Sequence, residues 1–524
     1  MSNHWFADFE KLFQKHEARL GLVMGVLLSL LACLVVYLIT ASNIGISTDS
    51  RFYLATAKRA MDDGLLAGVD STGHFPPLYP WALALMGKIF GDLETGARWL
   101  NIICAGLTVF FLHQICQKEI QNGQRMFSHA YVLLGLSGFI LADDFLRLSS
   151  FVLSELLFIT LLTGGILILQ RAHARMSSVQ MCAGGLVLGL ATLSRHTGLF
   201  FLGASVLWVF LASRKKGRSR WQETMLYAFA AGFLIILAKL IIRPSGTRAL
   251  AFHWPGEDHW HDFGVTFASW FLPYRFALPQ IGWMIAVALI VYCVIRLIRW
   301  LQTLANGGMD EEAMSNYLAA SAIAYLFLLF VTVVWIYYIT PFDYRLLFPV
   351  HVVMLTFLIG RLCRVRFSNR GFYCAIITFL CIWFAGQALK GVKTIRHYSV
   401  HGVGIGSKKN LESAALKYLQ EVPEAIVLVS NKPEVIEQLM SRRCDSIPSK
   451  FNSFTMAPEA RYENEMKILE AKLSASQAVL VWFLETDRPY HPKIAEVTEL
   501  IAMEKLPASD DKVLLYMVRP AANP

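Results

Sequence analysis

Ionisable side chains stand at the ends of many apolar segments in this sequence. The lone carboxylate of Asp49 follows the first apolar run, and Glu155 lies inside the start of a later one, in SSFVLSELLFITLL. The other charged residues at such ends are Asp143, Asp144, Arg195, Lys239, Arg243, Asp343 and Arg345. Carboxylates can deprotonate a hydroxyl group, and Lys or Arg can stabilise a phosphate leaving group. The set therefore suits the transfer of a group from a lipid phosphate to an acceptor alcohol or amine.

Glu155 is the sharpest of these observations. A charge within an apolar span costs roughly 2.5–3.5 kcal/mol on insertion scales, so such residues usually face a cavity and act there. The structural alternative is a carboxylate that is wetted near the interface, or one that is paired with Arg147 or Arg195. The sequence leaves both interpretations open.

Asp49 also has a structural interpretation. Residues 47–49 can cap a helix that ends near Gly64, and a capped surface helix needs no catalysis. Apolar side chains would place this helix on the membrane surface: Phe52, Tyr53, Ala55, Ala57, Ala60 and Met61. A second short helix is predicted in PPLYPWALALMGKIFG, between the prolines and Gly91.

Two basic residues could hold a phosphate. Lys239 and Arg243 are four residues apart and share one face of a helix end. Arg can bind phosphate through two parallel hydrogen bonds. Alternatively, both side chains only snorkel to the membrane interface.

Metal binding has weaker support. The stretch FHWPGEDHWHDF contains His253, His259 and His261, but an exposed polar loop explains it better than a metal site does. Four carboxylates could bind a divalent ion if they converge: Asp49, Asp143, Asp144 and Glu155. No compact ligand motif requires such an ion.

The composition identifies a polytopic α-helical membrane protein. Of 524 residues, 55% are hydrophobic and 16% are charged, whereas a soluble domain carries about 25% charged residues. About twenty apolar residues span a bilayer. Eleven spans are predicted near 20–42, 95–116, 128–142, 151–170, 179–194, 197–212, 222–242, 281–300, 316–338, 345–361 and 371–389.

The positive charge, a net +10, is distributed in a way that indicates the membrane topology of the chain. Lys and Arg gather in alternate short loops, which predicts that those loops are cytoplasmic and excludes nucleic acid as a partner. Residues 1–19 are then a cytoplasmic segment, 20–389 the transmembrane domain with a first outer loop at 43–94, and 390–524 an extracytoplasmic tail. The tail alternates amphipathic helices with strands such as AIVLVS and AVLVWFL, which predicts a small α/β domain.

The order of several motifs resembles the GT-C-fold glycosyltransferases that use polyprenyl-phosphate sugars. The resemblance is closest to the family 39-like group, which includes protein O-mannosyltransferases and the lipid A aminoarabinose transferase. It covers about residues 20–360, and these stretches carry it: DSRFYLATAKRAMDDG, HFPPLYPWALALMGKIFGDLETGARWLNIICAGLTV, LRLSSFVLSELLF, LGLATLSRHTGLFF and YRLLFPVHVVML.

The resemblance implies roles for individual residues. Asp49 would be the catalytic base, or the carboxylate that orients the acceptor, and Glu155 would take the second acidic position. The acceptor and sugar cavity would be shaped by His74, Pro76, Pro77 and Tyr79. The lipid phosphate would be held by Arg195, Lys239, Arg243 and Arg345.

Two departures from the family pattern leave the acceptor open. Ser50 follows Asp49 where protein mannosyltransferases have an Asp-Glu pair, and FDYRLLFP replaces the usual Glu-Arg-Tyr order. The leading hypothesis is an inverting transfer of a sugar from polyprenyl phosphate to a lipid, glycan or protein acceptor at the outer face of the cytoplasmic membrane. The alternatives are a non-catalytic scaffold subunit with protein partners, and a transporter of lipid-linked substrate.

Overall fold

A computed structural model describes most of the chain. It covers residues 2–67, 75–120, 125–175, 177–212, 220–241, 252–272, 277–306, 312–335, 341–365, 370–452, 456–475, 477–484, 488 and 490–518.

Long apolar helices make up the first three quarters of the protein. Eight of the described helices are long and apolar enough to cross a membrane, which makes the chain a multi-pass membrane protein. Their bounds are α1 Ser2–Ile39, α4 Leu93–Ile120, α7 Glu155–Arg175, α10 Arg220–Ile241, α12 Pro279–Ala305, α13 Ala313–Trp335, α14 Tyr344–Arg364 and α15 Arg370–His401.

Shorter helices complete this membrane domain. They are α2 Thr48–Asp62, α3 Leu78–Phe90, α5 Arg125–Ile140, α6 Asp143–Ser150, α8 Ser178–Ser194, α9 Gly198–Ala212 and α11 Glu257–Phe271. Each of the eleven predicted spans coincides with a helix, and α5, α8 and α9 are the short ones among them. The predicted fold class, a polytopic helical protein, is confirmed.

Three predicted details differ from the structure. Asp143 and Asp144 do not end a span but begin the separate helix α6. The stretch with three histidines is not simply a polar loop, because its residues from Glu257 onward form the amphipathic helix α11. The helix that contains the last predicted span does not end near 389 but continues to His401, through residues that are less apolar but still helix-forming.

Residues 402–518 form the predicted α/β unit, named here the tail domain. Its five strands are β1 Val427–Ser430, β2 Asp445–Ser446, β3 Ala478–Phe483, β4 Met503–Lys505 and β5 Val513–Val518, in the spatial order β2-β1-β3-β5-β4. The first three are mutually parallel and the last two are antiparallel to their neighbours. The tail helices are α16 Lys408–Leu411, α17 Ala414–Glu421, α18 Pro433–Met440, α19 Tyr462–Ala475 and α20 Ile494–Leu500. All six residues of β3 are buried, as a central strand requires.

The tail domain is held against the segment between α1 and α2 by backbone and side-chain hydrogen bonds. The side chain of Asn43 makes two hydrogen bonds with the backbone of Val403, both 2.9 Å long. The N–H of Ile405 donates to the carbonyl of Ile46 at 3.0 Å. Ile46 itself is buried in one of the two apolar cores of the tail domain. The segment that leads to Asp49 is therefore held by the tail domain.

Gly404 makes this close approach possible, so Gly404→Ala is expected to loosen the junction. Its φ of +69° disfavours any side chain, and an added Cβ would lie 2.6 Å from the Ile46 carbonyl oxygen. Strain of this kind costs of order 1–3 kcal/mol. We expect a lower thermal denaturation temperature and faster proteolysis near residue 404. The matched control is Gly203→Ala, where an added Cβ meets nothing within 4 Å. Equal behaviour of the two variants would refute this explanation.

Candidate active site

Four charged side chains from distant parts of the sequence meet at the ends of α2, α7, α8 and α14. Arg345 donates from Nε to Glu155 at 2.9 Å and from a terminal nitrogen to Asp49 at 2.9 Å. Arg195 lies 2.5 Å from the same Oε1 atom of Glu155. These four residues, Asp49, Glu155, Arg195 and Arg345, are called the charge cluster below. All four were selected from the sequence as charged residues at the ends of apolar segments, and the structure brings them into contact.

Accessibility differs sharply within the charge cluster. The Glu155 side chain is 1% exposed, and those of Arg195, Arg345 and Asp49 are 16%, 28% and 36% exposed. Both arginines use Oε1 of Glu155, while its Oε2 atom has no hydrogen-bond partner in the described part of the chain. Glu155 is thus the buried counter-ion, and Asp49 is the carboxylate that a substrate can reach.

Backbone bonds fix Asp49 relative to Glu155. The N–H of Gly45 donates to the carbonyl of Ser150 at 2.7 Å, and the N–H of Val152 donates to the carbonyl of Gly45 at 2.9 Å. This bridge between Gly45 and Phe151 precedes each carboxylate by four residues. The side-chain amide of the buried Asn101 donates to the carbonyls of Ser149 and Phe151 and so holds the second segment in place.

Asp49 lies in the first turn of α2. Ser47 caps this helix through a reciprocal hydrogen-bond pair with Ser50, as the sequence predicted for residues 47–49. A carboxylate near a helix N-terminus is stabilised by the helix dipole. The structural and catalytic interpretations of Asp49 are therefore compatible, since the cap is made by Ser47.

Arg195 projects from a tight turn between α8 and α9. Its N–H caps α8 by donating to Ala191, and its carbonyl accepts from Gly198. A Cβ at Gly198 would lie 2.7 Å from the backbone of Thr192, so the turn requires glycine there. The hydroxyl of Ser154, next to Glu155, is 3.4 Å from Arg195.

Arg345 is placed by the first turn of α14. Asp343 is the N-cap, and its side chain accepts hydrogen bonds from the backbone N–H groups of Arg345 and Leu346 at 3.0 and 3.3 Å. Burial raises the pKa of the Asp343 carboxyl to about 6, although Arg345 and these N–H groups act in the opposite direction.

Replacing Asp343 with Asn is expected to remove a pH dependence of stability. Because the folded-state pKa is raised, the folded protein binds this proton more tightly, and its stability falls as the pH rises from about 4 to about 6. Asn is also a good N-cap but carries no proton to lose. The denaturation temperature of Asp343→Asn minus that of the wild type should therefore rise over this pH window and level off above it. A difference that does not change with pH would contradict this assignment.

The aromatic side chains of the HFPPLYP motif pack against Tyr53 of α2. The ring of Tyr53 packs edge-on against Phe75 and against Tyr79, with ring centroids 4.9 Å apart in both pairs. Tyr79 is fully buried, and Pro77 is buried at the N-cap of α3. Tyr53 continues this stack to the charge cluster, since its hydroxyl lies 3.1 Å from that of Ser154. Tyr79 thus shapes the site by packing against Tyr53 of the helix that carries Asp49, and Pro77 is buried at the start of the helix that carries Tyr79.

Of the other predicted phosphate and cavity residues, Lys239 is described and does not belong to the charge cluster. Lys239 is exposed on the last turn of α10, and no ion pair between described residues includes it. His74 and Arg243 lie outside the described residues.

The four carboxylates considered for a metal do not converge. Asp143 pairs with Arg147 at 2.9 Å and with Lys390 at 3.5 Å. Asp144 accepts a hydrogen bond from the indole of Trp270 at 2.8 Å. Within the described ranges, no three His, Cys, Asp or Glu side chains are grouped so that they could hold a metal ion.

An apolar groove includes a residue that lies three positions before Arg345 in the chain. It has a volume of about 290 Å³ and is lined by aromatic and aliphatic side chains of α11, α12 and α13. Its wall includes Phe342, the residue before the N-cap of α14. The groove therefore connects an apolar surface with the element that carries Arg345.

Few features of the sequence distinguish Ser154, Asn101 or Tyr53 from their neighbours. Ser154 and Tyr53 are adjacent to a charged residue or one helical turn from it, which is a weak signal. Asn101 lies in an apolar helix, and a buried amide in such a helix needs partners. That requirement is a signal that could have identified it.

Comparisons with known proteins show what this chain is similar to. Residues 74–242 match a family model described as dolichyl-phosphate-mannose-protein mannosyltransferase. No curated protein sequence matches the chain.

Solved structures resemble nearly the whole chain. ArnT from Cupriavidus metallidurans bound to undecaprenyl phosphate is 12% identical with a TM-score of 0.54, and the likeness covers 94% of this chain and 97% of that one. The apo state of ArnT gives 11% identity and a TM-score of 0.53, with the same coverage. The oligosaccharyltransferase of Archaeoglobus fulgidus, in a complex with Zn and sulfate, gives 12% and 0.50, over 94% of this chain and 73% of that one.

The structural likeness shows the GT-C fold, and the family match places a third of the chain with glycosyltransferases. The predicted resemblance and enzyme class are confirmed at this level.

Proposed function

We propose that the protein is an inverting glycosyltransferase that moves a sugar from a polyprenyl phosphate to a lipid, glycan or protein acceptor. The observation that carries this proposal is the charge cluster, in which the partly exposed Asp49 pairs with Arg345, and Arg345 and Arg195 share Glu155. A proposed base and a proposed phosphate-binding cation are thus in direct contact. We place the reaction at the outer face of the cytoplasmic membrane, in line with the distribution of Lys and Arg along the sequence.

In the proposed reaction Asp49 is the base. The acceptor hydroxyl donates its proton to Asp49 as its oxygen attacks the anomeric carbon of the donor sugar. The bond from that carbon to the phosphate oxygen breaks, and its electron pair stays with the phosphate. Attack from the face opposite the leaving group inverts the anomeric configuration.

Arg345 and Arg195 stabilise the leaving phosphate in this scheme. A guanidinium has five N–H donors, and the bonds of Arg345 to the two carboxylates occupy Nε and one terminal nitrogen. Donors fixed in advance where negative charge develops lower the barrier most effectively. Arg195 is held close by through the same carboxylate oxygen.

Glu155 acts as a positioning residue in this proposal. Its side chain is 1% exposed, so a substrate meets the arginines before it meets Glu155. A buried carboxylate with two cationic partners keeps both guanidinium groups in one geometry. The cost of its charge within the apolar domain is offset by those ion pairs.

The apolar groove beside Phe342 is suited to the hydrocarbon chain of the donor. Its lining consists of aromatic and aliphatic side chains such as Trp260, Leu326 and Phe330, as an isoprenoid requires. The binding of undecaprenyl phosphate by ArnT, a protein of the same fold, supports a polyprenyl-linked donor.

The proposal is tested with purified protein in liposomes. Synthetic polyprenyl-phosphate monosaccharides are supplied as donors, and a lipid extract of the native host supplies acceptors. The expected result is time-dependent release of polyprenyl phosphate, with a product whose anomeric configuration is opposite to that of the donor. If no donor in the panel is consumed, and a stoichiometric protein partner copurifies instead, the scaffold alternative is the better account.

A further inference from the structure

We infer that the tail domain positions Asp49 for catalysis, through two carboxylates of α18 that grip the first turns of α2. This inference rests on the proposed function, because it assigns a role relative to the base. It concerns Glu434 and Glu437, which are more than 380 residues from Asp49 in the sequence.

The contacts are matched in spacing. Glu434 accepts a hydrogen bond from the hydroxyl of Thr48 at 3.2 Å, and Glu437 pairs with Arg51 at 2.7 Å. Thr48 and Arg51 are three residues apart on α2, and they lie on one face of that helix. The two glutamates are likewise three residues apart on one face of α18. The name α2 clasp is used below for these four side chains. Two contacts on successive turns fix both the position and the rotation of α2.

The clasp is anchored within the tail domain. Glu434 is 7% exposed, so its charge needs partners. Arg488 forms an ion pair with Glu434 and also donates to the carbonyl of Asn431 at 3.2 Å. Glu434 therefore links the carboxyl end of β1 to the N-terminus of α2.

Asp49 stands between the clasp and Arg345 of the charge cluster. Thr48, which contacts the tail domain, is its neighbour in the chain, while its own carboxylate contacts Arg345 from the membrane domain. The start of α2 is thus held from both sides. Release of the clasp would let α2 rotate, and it would change the angle at which Asp49 meets an acceptor.

A small rotation has a large effect on such a reaction. Catalytic groups must be held within about 0.5 Å and 10–20° of the productive geometry. Loss of the clasp should therefore lower kcat more than it changes the KM for the donor, since the arginines remain in the membrane domain. A role in folding alone would lower the amount of active protein and leave the kcat of that fraction unchanged.

The experiment uses a charge exchange in the full-length protein. Arg51→Glu and Glu437→Arg are made singly and together, and kcat is divided by the fraction of folded protein. Each single variant should lose about tenfold in kcat, with a donor KM within about twofold of the wild type, and the double variant should recover most of the loss. The control is Glu496→Gln, which breaks a tail-domain ion pair with Lys450 of 2.6 Å. This control should retain wild-type kcat.

A second measurement does not depend on activity. Hydrogen exchange of the backbone amides at residues 48–52 should be faster in both single variants and return toward the wild-type rate in the double variant. If the single variants exchange and turn over like the wild type, the inference is overturned. If exchange responds but kcat does not, the clasp is structural and the positioning role is overturned. Absence of transfer in every protein, wild type included, would count against the proposed function, and the exchange rates would still decide whether the tail domain holds α2.

Discussion

Replacing Asp49 with Asn is expected to lower kcat for sugar transfer by about 100-fold or more. General bases contribute about 10²–10⁴-fold to rate, and an amide cannot accept the acceptor proton. The fold should be kept, because Ser47 and not Asp49 caps α2 and the backbone bridge at Gly45 is unaffected. The measurement is the initial rate of polyprenyl phosphate release, with the KM for donor determined in parallel.

Asp62→Asn is the matched control for this variant. Asp62 lies on the same helix and is exposed, and no ion pair between described residues includes it. Its kcat should equal that of the wild type. If Asp49→Asn retains wild-type kcat, Asp49 is not the base, and α2 has only a structural role.

Replacing Arg345 with Ala is expected to be the most destabilising change in the charge cluster and to abolish transfer. Arg345 is the only one of the four residues that contacts both carboxylates. Breaking a buried ion pair costs about 3–5 kcal/mol, and the partial exposure of Arg345, 28%, places this variant nearer the lower figure. Thermal denaturation in detergent, followed by tryptophan fluorescence, should show a lower midpoint.

Arg345→Lys separates charge from geometry. Lysine keeps the positive charge but cannot form the planar two-armed contact that joins Asp49 to Glu155. Its denaturation temperature should lie between those of the wild type and the alanine variant, while its kcat should stay close to that of the alanine variant. The control Arg299→Ala removes an exposed arginine of α12 and should change neither quantity. An Arg345→Ala protein with wild-type stability would show that the observed ion pairs contribute nothing.

The order of the elements could be predicted because hydropathy and local capping determine it. Apolar runs marked the spans, the sequence around residue 47 marked the start of α2, and Gly91 marked the end of α3. In the tail domain, alternating patterns located the main strands and helices. These signals are local, so one sequence contains them.

The contacts of the charge cluster could not be predicted in the same way. Arg345 and Asp49 are 296 residues apart. Helix packing decides which of the charged residues at the segment ends come into contact. From the sequence, Asp143 and Asp144 were candidates for the site as much as Glu155 was. In the structure they lie at the start of α6 and contact Arg147, Lys390 and Trp270 instead. The contact of the tail domain with α2 could not be predicted for the same reason, since Glu434 belongs to no recognisable motif.

The predicted span 371–389 is shorter than α15, because hydropathy falls along the sequence before helical propensity does. After residue 389 the sequence becomes more polar, which ends a predicted span but not a helix, and α15 continues to His401. The junction with the tail domain therefore begins at Gly402 and Val403, which contact Asn43. The predicted division at residue 390 lies within this continuous helix.

The most direct test of the central claim is mass spectrometry of the lipids that copurify with the wild-type protein and with Asp49→Asn. We expect polyprenyl phosphate or its sugar conjugate in both, with the sugar conjugate enriched in the variant because turnover is blocked after the donor binds. That result would also identify the sugar. Bulk phospholipid alone in both preparations would contradict a polyprenyl-phosphate-dependent transferase, and the protein would then have to be studied as a scaffold whose tail domain binds partners.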